Sequence, residues 1–308
     1  MIGKQKTIQQ RVSVSGLGLH TGKLANLTLK PADIYTGILF KRTDIENYQP
    51  VKLGVDDVFD TSRGTFLRKN GAEFKTIEHL LAAVTGLEID NILIEIDSDE
   101  IPILDGSSKI FADLISSAGI ISQNAEKQYL RISEEIKYKN RERGIEIIAY
   151  PSEEFKISVE VDYDSKVIVP QKAEFHRIED FMTEIAPCRT FVFLHELQYL
   201  IAHNLVRGGD VSNAIVFVEY MPDETTLKQL AEFFNKPDIK VSEQSVLNNT
   251  VLRFENEPAR HKLLDLIGDL TLLGQPLKAQ IIAKKPGHFS NIEFAKLIQK
   301  HILNGSQS

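Results

Sequence analysis

Cysteine is nearly absent from this sequence: Cys188 is the only one in 308 residues. That excludes an internal disulfide and any cysteine-based zinc cluster, and it fits a reducing compartment. No apolar run approaches the roughly 18 residues that a membrane-spanning helix needs, so no stable membrane insertion is expected. The opening MIGKQKTIQQ lacks the apolar stretch of a secretory signal, which points to the cytoplasm. Positive charge is not in excess either. A net charge of −7 and a pI near 5.7 offer nucleic acid or an anionic membrane surface no overall attraction. What remains, with 42% hydrophobic and 26% charged residues, is an ordinary soluble composition. The length exceeds what one core usually organises, so two domains are expected.

What is present reads as short strands punctuated by a few good helices. RVSVSGLGLHTGKLANLTLKP alternates as two strands around a glycine-rich turn, and TGILFKRTD and AEFKT carry further strand character. TIEHLLAAVTG predicts a helix with Thr76 as N-cap and Gly86 as stop, followed by the strand NILIEID. DGSSKIFADLISSAGI predicts a second helix, capped by Asp105 or Ser107 and stopped at Gly119. Residues 121–129 turn polar and lose periodicity, which places a boundary between a domain at 1–124 and one at 125–308. The second half repeats the order: strands, a mixed region at 177–218, the helix in RHKLLDLIGDLTLLG, a strand, and a last helix. Residues 221–250 read as a polar surface insertion with one short amphipathic stretch, Leu227 to Phe234. The expected fold is α+β, two similar domains that are each a β-sheet layered with helices.

Chemistry concentrates in a few places. On the helix of RHKLLDLIGDL, His261 and Asp265 stand one turn apart on one face, and Asp269 continues the line. Imidazole nitrogen with carboxylate oxygen suits zinc or iron better than magnesium or calcium, although such a pair more often forms a local hydrogen bond. His79 directly follows Glu78. An acid beside a ligand histidine takes the proton from water in H-E-x-x-H peptidases; the plainer reading has Glu78 complementing the helix dipole and His79 packing. His288, in KKPGHFSN, falls in a turn at a strand end before a helix capped by Ser290 or Asn291. That is a common place for chemistry and equally for an ordinary turn residue. Thr190 in APCRTFVF is either a hydroxyl donor to an oxyanion or a strand residue. GLGLHTG, which contains Leu19, has G-x-G-x-x-x-G spacing with no clear helix after it. It is therefore a turn that approaches a ligand and not a dinucleotide fingerprint. His176, His195, His203 and His301 sit in surface or packing contexts.

TIEHLLAA, EIPILDGSS, ARHKLLDLIGDL and KKPGHFSN occur in this order, together with GLGLHTG, RTF at 189–191 and AIV at 214–216. In this combination the chain resembles the UDP-3-O-acyl-N-acetylglucosamine deacetylases, zinc enzymes of lipid A synthesis in Gram-negative bacteria. The resemblance runs from residue 7 to residue 300 and departs mainly at 221–250. It implies zinc, with iron as the alternative, held by His79, His261 and Asp265 in a cleft between the two domains. It implies Glu78 as general base, and His288 as a protonated group that serves as general acid or acts purely by its charge. Asp269 would keep His288 oriented and charged, and Thr190 would donate to the oxyanion. Lys262 would reach the diphosphate and Tyr163 would stack on uracil. A strand–helix–strand element at 191–216 would form the acyl passage. Phe191, Leu197, Leu200, Ile201 and Val216 are apolar enough to line it or to be plain core, and Phe191 and Leu19 are the expected apolar substrate contacts.

The implied reaction removes the N-acetyl group from a UDP-3-O-acyl-N-acetylglucosamine and releases acetate. The competing reading is a non-catalytic nucleotide-sugar-binding protein of the same fold, which has no need of Glu78 or a full ligand set. The implied partner is a small acylated UDP-sugar and not nucleic acid. The family suggests a monomer, unless the chain is fused to a dehydratase domain as some relatives are. The ending NGSQS carries no second catalytic module and fits a natural end and an excised piece equally.

Overall fold

Period-two alternation builds the first sheet: in Leu24–Pro31, Ala25, Leu27 and Leu29 face inward while Leu24, Asn26 and Pro31 stay exposed. The computed structural model describes residues 3–243, 245–248 and 250–305. Its two main sheets share one topology. In the first, the hairpin Val12–Leu17/Leu24–Pro31 pairs antiparallel with Ile92–Ile96, which pairs parallel with Ile38–Arg42, which pairs antiparallel with Val51–Lys52. In the second, the hairpin Ile136–Asn140/Ile145–Pro151 pairs antiparallel with Leu277–Lys284, which pairs parallel with Lys156–Val161, which pairs antiparallel with Gln171–Phe175. Strand order and strand senses are therefore the same in both, which is the duplication anticipated from the element order.

Among the described residues there are six α-helices: α1 (Glu78–Gly86), α2 (Lys109–Ser117), α3 (Leu194–Ala202), α4 (Glu224–Phe233), α5 (Glu257–Leu270) and α6 (His288–Gly305). In each half the central strand is preceded by a buried helix, α1 or α5, and followed by another, α2 or α6. Only Thr85 in α1, and only Arg260 and Lys262 in α5, escape full burial. Burial nearly all round places both helices inside the core, polar residues included, and the two pack against each other. One continuous apolar cluster runs from Leu27 and Phe40 through α1 and α5 to Ile147 and Ile281. Gly268 permits the helices' close approach, because a Cβ there would lie 2.1 Å from the carbonyl oxygen of Glu78. No helix among the described residues is long and apolar enough to cross a membrane.

Several local expectations are corrected. Thr76 does not cap α1: it has φ +56°, and its hydroxyl donates to Glu100 at 3.0 Å. Glu100 is fully buried and also accepts from the His20 and Thr21 amides and the Thr21 hydroxyl. A buried carboxylate that needs donors outcompetes the helix end for this hydroxyl. Asp105 and Ser107 do not cap α2 either; Ser108 holds that position, and its hydroxyl donates to the His79 carbonyl at 2.7 Å. The polar stretch at 121–129 is mostly strand: Ile120–Glu126 pairs antiparallel with Lys4–Ile8. It reads as polar because this strand of the two-stranded ribbon leaves most of its side chains exposed. The segment 221–250 contains α4, whose Leu230, with Phe234 and Ile239, packs against Leu197, Val206 and Val216. It lies on the surface but seals a second apolar cluster beneath it.

Candidate metal centre

Three side chains from α1 and α5 converge. His79 stands in the first turn of α1, and His261 and Asp265 stand one turn apart on α5, all of them buried. One donor atom from each lies within 4.8 Å of the others. Asp265 Oδ1 is 3.3 Å from His261 Nε2 and 3.7 Å from His79 Nε2. The Nδ1 of His261 lies 3.1 Å from the carbonyl oxygen of Cys188, which can only accept. The Nδ1 must therefore carry the proton, and Nε2 presents a lone pair. Burial pushes both histidines below their ordinary range, His79 to about 3, where each charged imidazole would also oppose charge on nearby cations. Burial alone would raise Asp265, but His261, Lys262, His288 and His79 hold it well below the usual carboxylate range. Asp265 Oδ1 is buried and has no hydrogen-bond partner. Lone pairs of two neutral imidazoles and an orphaned carboxylate oxygen facing one point form a donor set that a divalent cation satisfies.

Around this triad stand acids and bases of graded protonation. Glu78, 3% exposed, is pushed up to about 7 chiefly by burial, with His288 opposing and Asp269 and Asp265 adding to the rise. Its Oε2 accepts from the Thr65 amide at 3.2 Å, and its Oε1 lies 3.9 Å from His288 Nε2. His288 does not sit in the turn before a helix, as expected; it is the first residue of α6. Neither Ser290 nor Asn291 caps that helix in the expected way. The Ser290 hydroxyl accepts from the Gly287 amide instead, and Asn291 turns to Asp269. Burial would lower His288, but Asp269, Asp265 and Glu78 outweigh it and raise it to about 9. Its Nδ1 donates to Asp269 Oδ2 at 3.0 Å, which aims Nε2 at Asp265 Oδ2, 3.8 Å away, as well as at Glu78. The pairing of Asp269 with His288 that the resemblance implied is thus present in the geometry.

The remaining expected residues spread over the rim. Lys262 donates to Asp265 Oδ2 at 2.9 Å and lies 5.6 Å over the Phe191 ring. Despite burial, Asp265 raises its pKa further. Phe191 stands 6.2 Å from the His261 ring and edge-on to Tyr163 at 5.5 Å. Burial pushes the Tyr163 phenol up to about 12. Phe191–Phe193 pairs parallel with Ile215–Phe217, with α3 between them, so 191–216 is a strand–helix–strand element. Leu197, Leu200, Ile201, Val216 and Leu19 join one apolar cluster, whereas Phe191 joins a second one with Phe217 and Ile168. Thr190 is tied through its backbone, its amide donating to Gly106 and its carbonyl accepting from Ile215. A separate cavity of about 560 Å³, lined by Thr85, Glu88, Leu270, Thr271 and Lys278 among others, lies at the opposite ends of α1 and α5 and contains none of these residues.

Two residues outside every motif prove central to the site. The Thr65 hydroxyl donates to Asp269 Oδ1 at 2.5 Å. The carboxylate of Glu257, fully buried, receives the Arg189 amide, the Arg189 guanidinium and the Arg253 amide. This pins the segment that brings the Cys188 carbonyl to His261. Glu257 carried a weak signal, an acid opening a helix, which reads as a dipole complement. Thr65 carried none.

Sequence comparison yields a consistent family. Residues 5–236 and 235–300 match the family described as LpxC: UDP-3-O-acyl N-acetylglycosamine deacetylase. The chain is 43% identical over 304 residues to a bifunctional enzyme LpxC/FabZ of Chlorobaculum tepidum, covering 98% of this chain and 65% of that protein. It is 38% identical to a UDP-3-O-acyl-N-acetylglucosamine deacetylase of Chlamydia pneumoniae, covering 96% of each, and 37% identical to one of Saccharophagus degradans, covering 96% of this chain and 91% of the relative. The chain thus spans less than two thirds of the bifunctional relative's length and nearly the whole of the two single-function ones.

Proposed function

The chain belongs to the UDP-3-O-acyl-N-acetylglucosamine deacetylase family, and on that premise we propose that it hydrolyses the N-acetyl group of a UDP-3-O-acyl-N-acetylglucosamine, in the cytoplasm, with zinc held by His79, His261 and Asp265. The observation that carries this reading is the orphaned Asp265 Oδ1 set between two imidazole nitrogens, with Glu78 and His288 beside them. Zinc bound there supplies Lewis acidity to the acetyl carbonyl and acidifies the attacking water.

The protein's own groups do the rest. Glu78, held by the Thr65 amide, takes the proton from water as it attacks the carbonyl carbon. The C–N bond then breaks, acetate leaves, and the glucosamine nitrogen departs with a proton supplied by His288 or by Glu78 itself. The Asp269 carboxylate beside Nδ1 keeps His288 charged, so His288 can face the developing oxyanion with its Nε2–H. Thr190 is assigned a donor role at the same oxyanion. Lys262 is assigned the diphosphate and Tyr163 the uracil, and Leu19 and Phe191 bound the acyl passage. A non-catalytic sugar-nucleotide-binding protein is disfavoured, since it would have no use for a buried acid and an imidazolium converging on the ligand triad.

Two substitutions test the proton carriers with the metal in place. Glu78→Ala should retain its metal and lose about 10²–10⁴-fold in kcat, measured as acetate release by the holoprotein. Metal loss in that variant would move Glu78 from the base role to a ligand role. His288→Ala should likewise keep its metal while losing most turnover. A His288→Ala protein as active as the parent would remove the imidazole from the chemistry altogether.

A further inference from the structure

We infer that Thr65 is a positioning residue of this site: its hydroxyl fixes the Asp269 carboxylate, and through it the His288 imidazole. The inference rests on the function proposed above and adds to it a residue that no sequence motif marks.

Thr65 ends the loop between the strands Val58–Asp60 and Phe66–Lys69 and is fully buried. A threonine hydroxyl has one proton to give, and here it goes to Asp269 Oδ1 at 2.5 Å. The oxygen's lone pairs face His288 Nδ1 at 3.2 Å, and that nitrogen also reaches Asp269 Oδ2 at 3.0 Å. The imidazole N–H is thus flanked by two acceptors and cannot swing freely. Asn291 Nδ2 donates to Asp269 Oδ2 at 2.8 Å. Three donors from two separate chain segments therefore clamp one carboxylate that is 1% exposed.

The two carboxylate oxygens are not equivalent in this clamp. Oδ2 is shared by His288 and Asn291, both on α6, whereas Oδ1 receives Thr65 from the first half of the chain. Thr65 therefore sets the rotation of the carboxylate about its own bond, which decides where the His288 Nδ1–H and the opposite Nε2 point. The backbone amide of the same residue donates to Glu78 Oε2 at 3.2 Å. One residue thus sets the position of both groups that flank the ligand triad, one through its amide and one through its hydroxyl. Substitution of the side chain separates the two, because the amide contact survives it.

The test uses metal-loaded Thr65→Val, which keeps the shape and the amide contact, and Thr65→Ser, which restores a hydroxyl. The expected result for valine is a kcat lower by about 10- to 100-fold, the usual effect of removing a group that orients an active-site residue, with KM little changed and metal content equal to the parent's. Serine should recover most of the loss. In a His288→Ala background, Thr65→Val should have almost no further effect, because both changes disable one unit. A readout independent of turnover is the nuclear magnetic resonance signal of the His288 Nδ1–H in the imidazole-labelled holoprotein. It should move in the valine variant and return with serine. Should valine prevent folding, Thr65→Ala removes the same hydroxyl and is read the same way. A parent protein without deacetylase activity would refute the proposed function while leaving this resonance to decide the role of Thr65. An unmoved resonance with parental kcat in Thr65→Val would overturn the inference, as would losses that multiply in the His288→Ala background.

Discussion

Asp265→Ala is expected to lose bound metal and acetate release together while keeping its fold. Asp265 is the one carboxylate in the triad, and its Oδ1 faces both imidazole nitrogens while its Oδ2 accepts from Lys262. Alanine removes a ligand and also leaves the Lys262 ammonium beside the vacated point without its nearest anion, which repels a cation. Loss of a mere hydrogen-bond partner of a ligand typically weakens metal affinity about 10- to 100-fold, so loss of the ligand itself should exceed that range. The check is metal content after dialysis, read beside turnover and the far-ultraviolet circular dichroism spectrum. A folded Asp265→Ala protein that still holds one metal ion per chain would show that the triad is not the binding site.

Gly268→Ala is the second large effect, and its sign decides between two opposed contributions. Within a helix, alanine is normally more stable than glycine by about 0.5–1 kcal/mol. At this position its Cβ would lie 2.1 Å from the Glu78 carbonyl oxygen, 2.8 Å from its carbonyl carbon and 3.0 Å from its Cα. These are backbone atoms of α1 and cannot rotate away, so α1 and α5 must move apart. Overpacking of this kind usually destabilises by about 1–3 kcal/mol, more than the helix propensity returns. The displaced residue is Glu78 itself, adjacent to His79, so the separation also pulls one ligand away from the other two. The expected outcome is a lower melting temperature together with weaker metal binding and reduced turnover. A variant more stable than the parent, with full metal affinity, would mean that the helix contact does not set the ligand geometry.

Legibility in the sequence followed the range of the interactions. The i, i+4 spacing of His261 and Asp265 is a local property of one helix, so it was readable, as was the adjacency of Glu78 and His79. That α1 and α5 meet is not local. It depends on Gly268, which in sequence is only a weak helix former. The Asp269–His288 pair joins residues 19 positions apart, and the resemblance, not the spacing, suggested it. Thr65 lies 204 positions from Asp269, and no periodic pattern marks a threonine in a short loop. Thr76 failed as a cap for a related reason: a hydroxyl near a helix start also answers to a buried acceptor, here Glu100, that only the fold brings within reach. The strand in 121–129 was missed because, with a single buried side chain, it lacks the alternation that signals a strand. In 221–250 the apolar residues Leu230, Phe234 and Ile239 are sparse, and they have meaning only against the cluster that they cover.

The measurement that bears most directly on the account is made on the unaltered chain. Purified protein is reconstituted with zinc, its metal content is determined, and acetate release from UDP-3-O-acyl-N-acetylglucosamine is followed before and after removal of the metal by a chelator. The expected result is one zinc per chain and turnover that disappears with the metal and returns on its replacement. Full turnover in metal-free protein, or a metal-loaded protein inert toward the substrate at every acyl length tried, would contradict it.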